Sequence, residues 1–165
     1  RNGNSGRITS AELRESQMLT MKKSNVGMVI TTDLGDLKSI HPPKKKEVGE
    51  RFAFWALKKN YNFKDLVHSG PIYKSVDFKN GKALVSFDHA ESGLYCPDTK
   101  IQHFEIAGID DKYYPAESKI IGNKVMVWSG NVTEPMSVRL GWKNYFEMNL
   151  FNKEGLPASS FRTKE

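Results

Sequence analysis

Residues that crosslink a fold or bind a metal are scarce in this chain. Among its 165 residues there is one cysteine, Cys96, so no internal disulfide can form and cysteine usage does not indicate a redox compartment. The histidines are scattered and do not have the spacing of known zinc sites; they are His41, His68, His89 and His103. The sequence therefore predicts neither a disulfide framework nor a zinc site.

Long apolar stretches are also absent. The longest apolar run is much shorter than the roughly 20 residues that a membrane-spanning helix needs. No secretory signal peptide is recognisable, and the chain begins at Arg1 instead of Met, so we expect upstream sequence to have been removed. With 38% hydrophobic and 27% charged residues, the composition is that of a soluble globular protein.

Positive charge is in excess but is dispersed. The net charge of +6 comes largely from short lysine clusters, which are Lys22, Lys23, Lys44 to Lys46, Lys58 and Lys59. These clusters fall at predicted helix ends and loops, which is typical of a solvated surface. Because nucleic-acid binding needs basic residues gathered on one face, we expect no nucleic-acid partner. A mild attraction for anionic ligands remains open.

The most informative stretch is residues 26–59. It opens with a mostly β-branched apolar run that is typical of a strand buried on both faces; the run contains Val26, Met28, Val29 and Ile30. A loop carrying two aspartates and a histidine follows. Prolines then suit the first turn of a helix, and a packed helical face is predicted from side chains at helical spacing. The prolines are Pro42 and Pro43, and the residues at helical spacing are Val48, Phe52, Trp55 and Lys59.

A second helix is predicted upstream of this stretch. Thr9 and Glu12 have the spacing of a capping box, and a helix from about Ser10 to Met21 follows them. Residues 1–67 thus have the order helix, strand, loop, helix, which is one unit of an α/β sheet without the other strands. A single parallel strand needs neighbours to pair its backbone groups. We expect other chains or a missing segment to supply them.

The pattern changes at residue 68. Residues 68–165 contain short alternating runs separated by turn residues, and the runs around K-N-G-K at 79–82 predict a β-hairpin. Several such runs without a helical period favour a small antiparallel β-sandwich or jelly roll. The tail from Asn149 to Thr163 has apolar residues too widely spaced for a helix, so we expect it to lie as an ordered strap.

The loop after the predicted strand suggests hydrolytic chemistry. His41 with Asp36 or Asp33 has the residue types of the base half of a serine-type hydrolase, because a histidine takes and returns protons near neutral pH. No serine of this chain fits as the nucleophile, because Ser5 has no strand before it and Ser69 and Ser129 lie on predicted sandwich strands. The pattern alone also allows a structural histidine and aspartates that only cap the following helix.

Residues 31–51 add a family resemblance. The run T-T-D-L-G-D-L-K-S-I-H-P-P-K-K-K-E-V-G-E-R is similar to D-L-G-D…I-H-P…K…V-G-x-R of the sialate O-acetylesterase family, within the SGNH-type hydrolases. Further segments resemble the same family, in the same order along the chain. Upstream the segment is A-E-L-R-E-S-Q, and downstream the segments are S-G-P-I-Y-K-S, F-E-I-A-G, Y-Y-P-A, V-R-L-G-W and N-L-F-N-K-E-G-L-P-A-S-S-F-R-T. The resemblance covers residues 8–163.

The resemblance implies a serine esterase that removes acetyl groups from sugars without a metal or cofactor. His41 would be the general base, and Asp36, or second Asp33, the acid. Many relatives read D-I-H-P, but Ser39 stands in that first position here, and Lys38 stands where an acid three residues before the histidine would fall. A main-chain carbonyl near Ser39 is therefore a further candidate for orienting the imidazole.

The resemblance also implies what this chain lacks. The family's nucleophilic serine lies in an N-terminal part, so the chain is expected to be the C-terminal portion of an esterase and to need that part as its partner. A secreted, periplasmic or lysosomal-type location is implied by the same resemblance.

Other residues permit another function. Arg14 and Gln17 share one helix face and either bind substrate or tie the helix to the rest of the fold. Trp128 and Trp142 lie on predicted sandwich strands, where aromatic rings pack or stack on sugars. The alternative function is therefore a non-catalytic carbohydrate-binding or interaction module.

Overall fold

The computed structural model describes residues 9–39, 41 and 43–164, without the side chain of Thr9. The predicted lead-in at residues 1–7, the capping side chain of Thr9 and the first of the two helix-starting prolines, Pro42, lie outside this description.

The two predicted helices are confirmed. Helix α1 spans Thr9–Leu19 and continues into a 3-10 helix at Thr20–Lys22. Helix α2 spans Lys45–Lys59 and begins two residues after Pro43, and the N–H of Asn60 donates to the carbonyl of Ala56 at its end. No helix of the described chain is long and apolar enough to cross a bilayer.

Ten strands follow in the described part of the chain. They are β1 (Ile72–Lys79), β2 (Lys82–Asp88), β3 (Leu94–Tyr95), β4 (Phe104–Ala107), β5 (Tyr114–Pro115), β6 (Glu117–Ile121), β7 (Lys124–Trp128), β8 (Ser137–Leu140), β9 (Phe151–Asn152) and β10 (Phe161–Arg162). All of their pairings are antiparallel. The prediction of antiparallel strands in this half is therefore confirmed.

The strands form two four-stranded sheets and one small pair. The sheet orders are β1-β2-β7-β6 and β10-β8-β4-β5, and β3 pairs with β9. The predicted hairpin joins β1 to β2 through Asn80 and Gly81, whose φ angles of 51° and 72° are both positive. A two-residue turn of this kind matches the twist of paired strands, which places Lys79 opposite Lys82.

One hydrophobic core is shared by the two larger sheets. Alternate residues on each strand point inward, as the period of two requires; among them are Ala83, Val85, Phe87, Phe104, Ile106, Val125, Val127, Val138, Leu140 and Phe161. The C-terminal tail closes over this core, because residues 156–160 are all buried. The prediction of an ordered strap is confirmed, with β9 and β10 as its two short strands.

Residues 26–30 differ from the prediction. They carry no regular secondary structure, and the run from Met28 to Ile30 is only half-buried instead of buried on both faces. The physical reason is that strand backbone needs hydrogen-bonding neighbours, and the described chain offers this segment no adjacent strand. The predicted packed face of α2 is also partly wrong, since Phe52 is 56% exposed beside the same segment.

Helix α1 is held against the β-rich half by two arginines. Arg14 donates from Nη2 to the carbonyl oxygens of Gly141 (3.1 Å) and Lys143 (2.5 Å), and from Nε to Ser160 Oγ (3.2 Å). Glu15 accepts two hydrogen bonds from Arg162, of 2.9 and 2.7 Å. Contacts therefore cross the division predicted at residue 68.

A buried glycine provides a test of how the tail packs. A β-carbon on Gly70 would lie 2.0 Å from the carbonyl oxygen of Pro157, so Gly70→Ala must displace backbone. We expect it to lower the free energy of unfolding by about 2 kcal/mol or more, measured by urea denaturation. Gly130→Ala is the matched control, because nothing lies within 4 Å of its β-carbon position. Equal stability of the two variants would contradict the described packing.

Candidate active site

The loop that carries the predicted site residues is ordered by short-range hydrogen bonds. The N–H of Leu34 donates to the carbonyl of Thr31 (3.0 Å), and Leu34 itself is buried. Asp36 Oδ1 accepts from the N–H of Lys38 (2.8 Å), which is the Asx-turn arrangement that aspartate favours. An isolated β-bridge then joins Asp36 to Ser39. The loop thus turns back on itself just before His41.

His41 lies on the surface at the end of this loop. Its main-chain N–H donates to Ser39 Oγ (3.0 Å), and the imidazole is exposed. Among residues 9–39, 41 and 43–164, no carboxylate makes a hydrogen bond with the ring. The described chain therefore brings His41 and Asp36 into one loop but does not join their side chains.

Asp33 has a different partner. Both of its carboxylate oxygens accept from Arg51 of α2, at 2.7 Å from Nη1 and 2.6 Å from Nη2, and both side chains are largely buried. Arg51 Nη1 also donates to the carbonyl of Ile30 at 2.5 Å. This bidentate geometry fixes both the position and the orientation of the carboxylate. Asp33 therefore ties the start of the loop to α2.

A groove of 390 Å³ runs beside the unpaired apolar segment. It is lined by Arg14, Gln17 and Phe52 and by residues 27–32. Arg14 reaches it from α1 but is committed to the hydrogen bonds described above, and burial lowers the pKa of its guanidinium. Arg14 therefore ties the helix to the fold, whereas Gln17 lines the groove.

A histidine pair lies where α2 meets the first β-strands. The rings of Trp55 and His68 are 4.4 Å apart in an edge-on arrangement, and the ring of His89 lies 5.1 Å from that of His68. His68 is only 7% exposed. Its pKa is lowered from 6.5 to about 4, chiefly by burial and further by the positive charges of His89, Lys59 and Lys58. The pair is therefore neutral in the folded chain at neutral pH.

A segment of the β-rich half, residues 143–148, lies against the site loop. The N–H of Met148 donates to the carbonyl of Thr32 (3.3 Å), and a β-carbon on Gly35 would be 3.9 Å from the ring of Tyr145. The hydroxyl of Tyr145 donates to Glu147 (2.9 Å). No sequence signal indicated this neighbour, because residues 35 and 145 are brought together only by the tertiary fold.

The two tryptophans that were predicted to pack or to stack on sugars differ in their exposure to solvent. Trp142 is buried under Arg162, whose guanidinium carbon lies 4.7 Å from the ring centre. Trp128 is half-buried, with Lys82 Nζ 5.5 Å from its ring. In the described part of the chain, no group of three or more histidine, cysteine, aspartate or glutamate side chains is arranged to hold a metal ion.

Comparisons with known proteins relate the chain to a carbohydrate acetylesterase. No protein-family model matches the chain, and no curated protein matches it. Among solved structures, the chain is similar to a carbohydrate acetylesterase from Xanthomonas citri, with 38% sequence identity and a TM-score of 0.91. The match covers 99% of this chain and 38% of that enzyme, so the chain spans well under half of its length. This likeness supports a relationship to carbohydrate esterases.

The ion pair between Asp33 and Arg51 is expected to be a major source of local stability. Arg51→Met leaves a largely buried carboxylate without its partner, so we expect the free energy of unfolding to fall by about 3 kcal/mol, measured by urea denaturation. Lys46→Met is the control, because its pair with Glu50 is exposed at 3.7 Å and should contribute less than about 0.5 kcal/mol. Similar losses in both variants would show that the buried pair has no special role.

His68 is expected to make the stability depend on pH. Because its pKa is about 4 in the folded chain and near 6.5 when unfolded, the unfolded chain takes up the proton first as the pH falls. The contribution of His68 to the free energy of unfolding is therefore fully present above pH 6.5 and declines from there towards pH 4. We expect His68→Phe to remove about 1 to 2 kcal/mol of that decline, allowing for solvent screening. Urea denaturation of the wild type and of His68→Phe at several pH values measures this difference. The same dependence of the unfolding free energy on pH in the two proteins would contradict the expectation.

Proposed function

We propose that this chain is the C-terminal part of a serine-type carbohydrate O-acetylesterase and that His41 is its general base. The observation that carries the proposal is the match to the Xanthomonas citri carbohydrate acetylesterase over 99% of this chain. The acid-and-histidine loop described above is the part of the chain with suitable chemistry. The nucleophilic serine and the oxyanion-hole donors come from an N-terminal part of the same protein.

In this reaction, the serine hydroxyl attacks the acetyl carbonyl while the imidazole of His41 takes its proton. The proton passes to the sugar oxygen as the ester bond breaks, leaving an acetyl-serine. Water then attacks this intermediate with His41 again acting as base, and acetate leaves. Ester and water are the only reactants, and in this mechanism the serine and the imidazole carry the chemistry without a metal or cofactor.

The exposed apolar segment supports the need for an N-terminal part. Residues 26–30 have the composition of a central strand, yet they lie half-exposed beside the 390 Å³ groove and Phe52. Neighbouring strands of an SGNH-type α/β/α sheet would pair this backbone and cover the groove. In this proposal, residues 1–67 complete the esterase domain, and residues 68–165 form the jelly-roll-like β-sandwich.

The group that orients His41 is best assigned to the same loop. Asp33 is bound by Arg51, so we give it the role of holding the loop in place. Asp36 remains the first choice for the acid, since its carboxylate has a second oxygen besides the one that accepts from Lys38. A main-chain carbonyl near Ser39 is the other choice, because Ser39 already contacts the backbone of His41.

The substrate is an acetylated sugar, either a sialate 9-O-acetyl ester or an acetylated polysaccharide. A secreted, periplasmic or lysosomal-type location suits an enzyme of this class. The non-catalytic carbohydrate-binding module is the weaker candidate, because Trp142 is buried and Lys82 lies over the ring of Trp128.

His41→Ala tests the proposal in the full-length protein. We expect kcat for acetate release from acetylated sugars to fall by about 10⁴-fold, by analogy with other triads. The unfolding free energy of the 165-residue chain should stay unchanged, because His41 is exposed there. The 165-residue chain alone should release no acetate. Full activity in the variant would favour the binding module, and turnover by the isolated chain that His41→Ala abolishes would refute the assigned N-terminal serine.

A further inference from the structure

Residues 143–148 form a ledge in which burial alternates from Tyr145 to Met148. Phe146 and Met148 are buried, whereas Tyr145 and Glu147 are exposed. Phe146 lies 5.1 Å below the guanidinium carbon of Arg14 and leaves no space for a β-carbon on Gly141. The exposed side chains therefore project from an anchored backbone, although the segment has no regular secondary structure.

The ledge is bonded to the loop that carries His41. Met148 is joined to Thr32 by a main-chain hydrogen bond, and the ring of Tyr145 lies against Gly35, the residue before Asp36. Asp36 is bridged to Ser39, whose hydroxyl accepts from the N–H of His41. A continuous set of contacts thus leads from Tyr145 to the proposed base, all of it through loop residues at one surface.

Tyr145 itself is an exposed aromatic whose hydroxyl is held in place. The residue is 40% exposed, so part of it is open to solvent. The hydroxyl donates a hydrogen bond to Glu147 Oε1, and this bond is the main reason that the pKa of the hydroxyl is raised. The negative charge of Asp36 also raises it. A phenol that is exposed yet oriented by a carboxylate has lost rotational freedom without gaining burial.

We propose that Tyr145, oriented by Glu147, is a substrate-positioning residue that stacks on the sugar ring bearing the acetyl ester. The inference rests on the proposed esterase function and deepens it. Sugar rings present flat C–H faces that pack on aromatic rings and hydroxyls that need acceptors. Tyr145 supplies the first, and the second oxygen of Glu147 supplies an acceptor next to it.

The location of the ledge explains why this residue acts on binding and not on bond cleavage. Tyr145 contacts the loop at Gly35, several residues before His41, and it belongs to the β-rich half. A ring at that place can hold the sugar while the ester reaches the imidazole. Binding energy of this kind orients the reacting group, and its loss appears mainly in KM for the sugar ester.

The test compares two esters in the full-length protein. Tyr145→Ala, Tyr145→Phe and the control Tyr61→Ala are assayed for acetate release from an acetylated oligosaccharide and from ethyl acetate. Tyr61 is an exposed tyrosine outside the ledge, with 71% exposure against 40% for Tyr145. We expect Tyr145→Ala to raise KM for the oligosaccharide about tenfold and to change kcat/KM for ethyl acetate less than about twofold. Tyr145→Phe keeps the ring and should remain within about threefold of the wild type.

The outcomes separate the two proposals. Equal losses on both esters in Tyr145→Ala, or no loss on the oligosaccharide, would overturn the positioning role while leaving the esterase function intact. A loss in Tyr145→Phe as large as in Tyr145→Ala would also overturn it, since the ring would not be the binding group. A wild-type protein that hydrolyses neither ester would refute the esterase function, and the positioning role with it.

Discussion

The ion pair between Asp33 and Arg51 is the constraint on which the site loop depends. A bidentate pair with little solvent access has one favourable geometry, so it fixes the point where the unpaired apolar segment ends and the loop begins. Arg51 also binds the carbonyl of Ile30, and in this way a side chain of α2 satisfies backbone that would otherwise need a neighbouring strand. The pair therefore anchors the start of the loop that carries His41.

A second set of contacts joins the loop to the β-rich half. Arg14 holds α1 against the carbonyls of Gly141 and Lys143, and Met148 then bonds to Thr32. The segment between these carbonyls and Met148 is therefore held from both sides. A change in the packing of α1 would be transmitted to the ledge beside the loop, although the two lie more than 120 residues apart in sequence.

Local structure was predictable wherever local chemistry decides it. Asn80 and Gly81 form the hairpin because both accept positive φ angles, and the two helices lie where the capping and spacing patterns predicted them. The segment at residues 26–30 was predicted as a buried strand but lies irregular and half-exposed, since a strand depends on partners that its own sequence does not contain. The partner of Asp33 was equally invisible, because Arg51 is 18 residues away and nothing local distinguishes it from the other basic residues of α2.

The exposure of His41 is itself an argument about the site. A general base works best when water is excluded and its imidazole is oriented by a fixed acceptor, and within the described residues neither condition is met. The same chain leaves its central apolar segment and Phe52 uncovered. One event, the packing of further strands against residues 26–30, would bury that surface. By carrying a serine towards the loop, it would also enclose the imidazole between the nucleophile and the Tyr145 ledge.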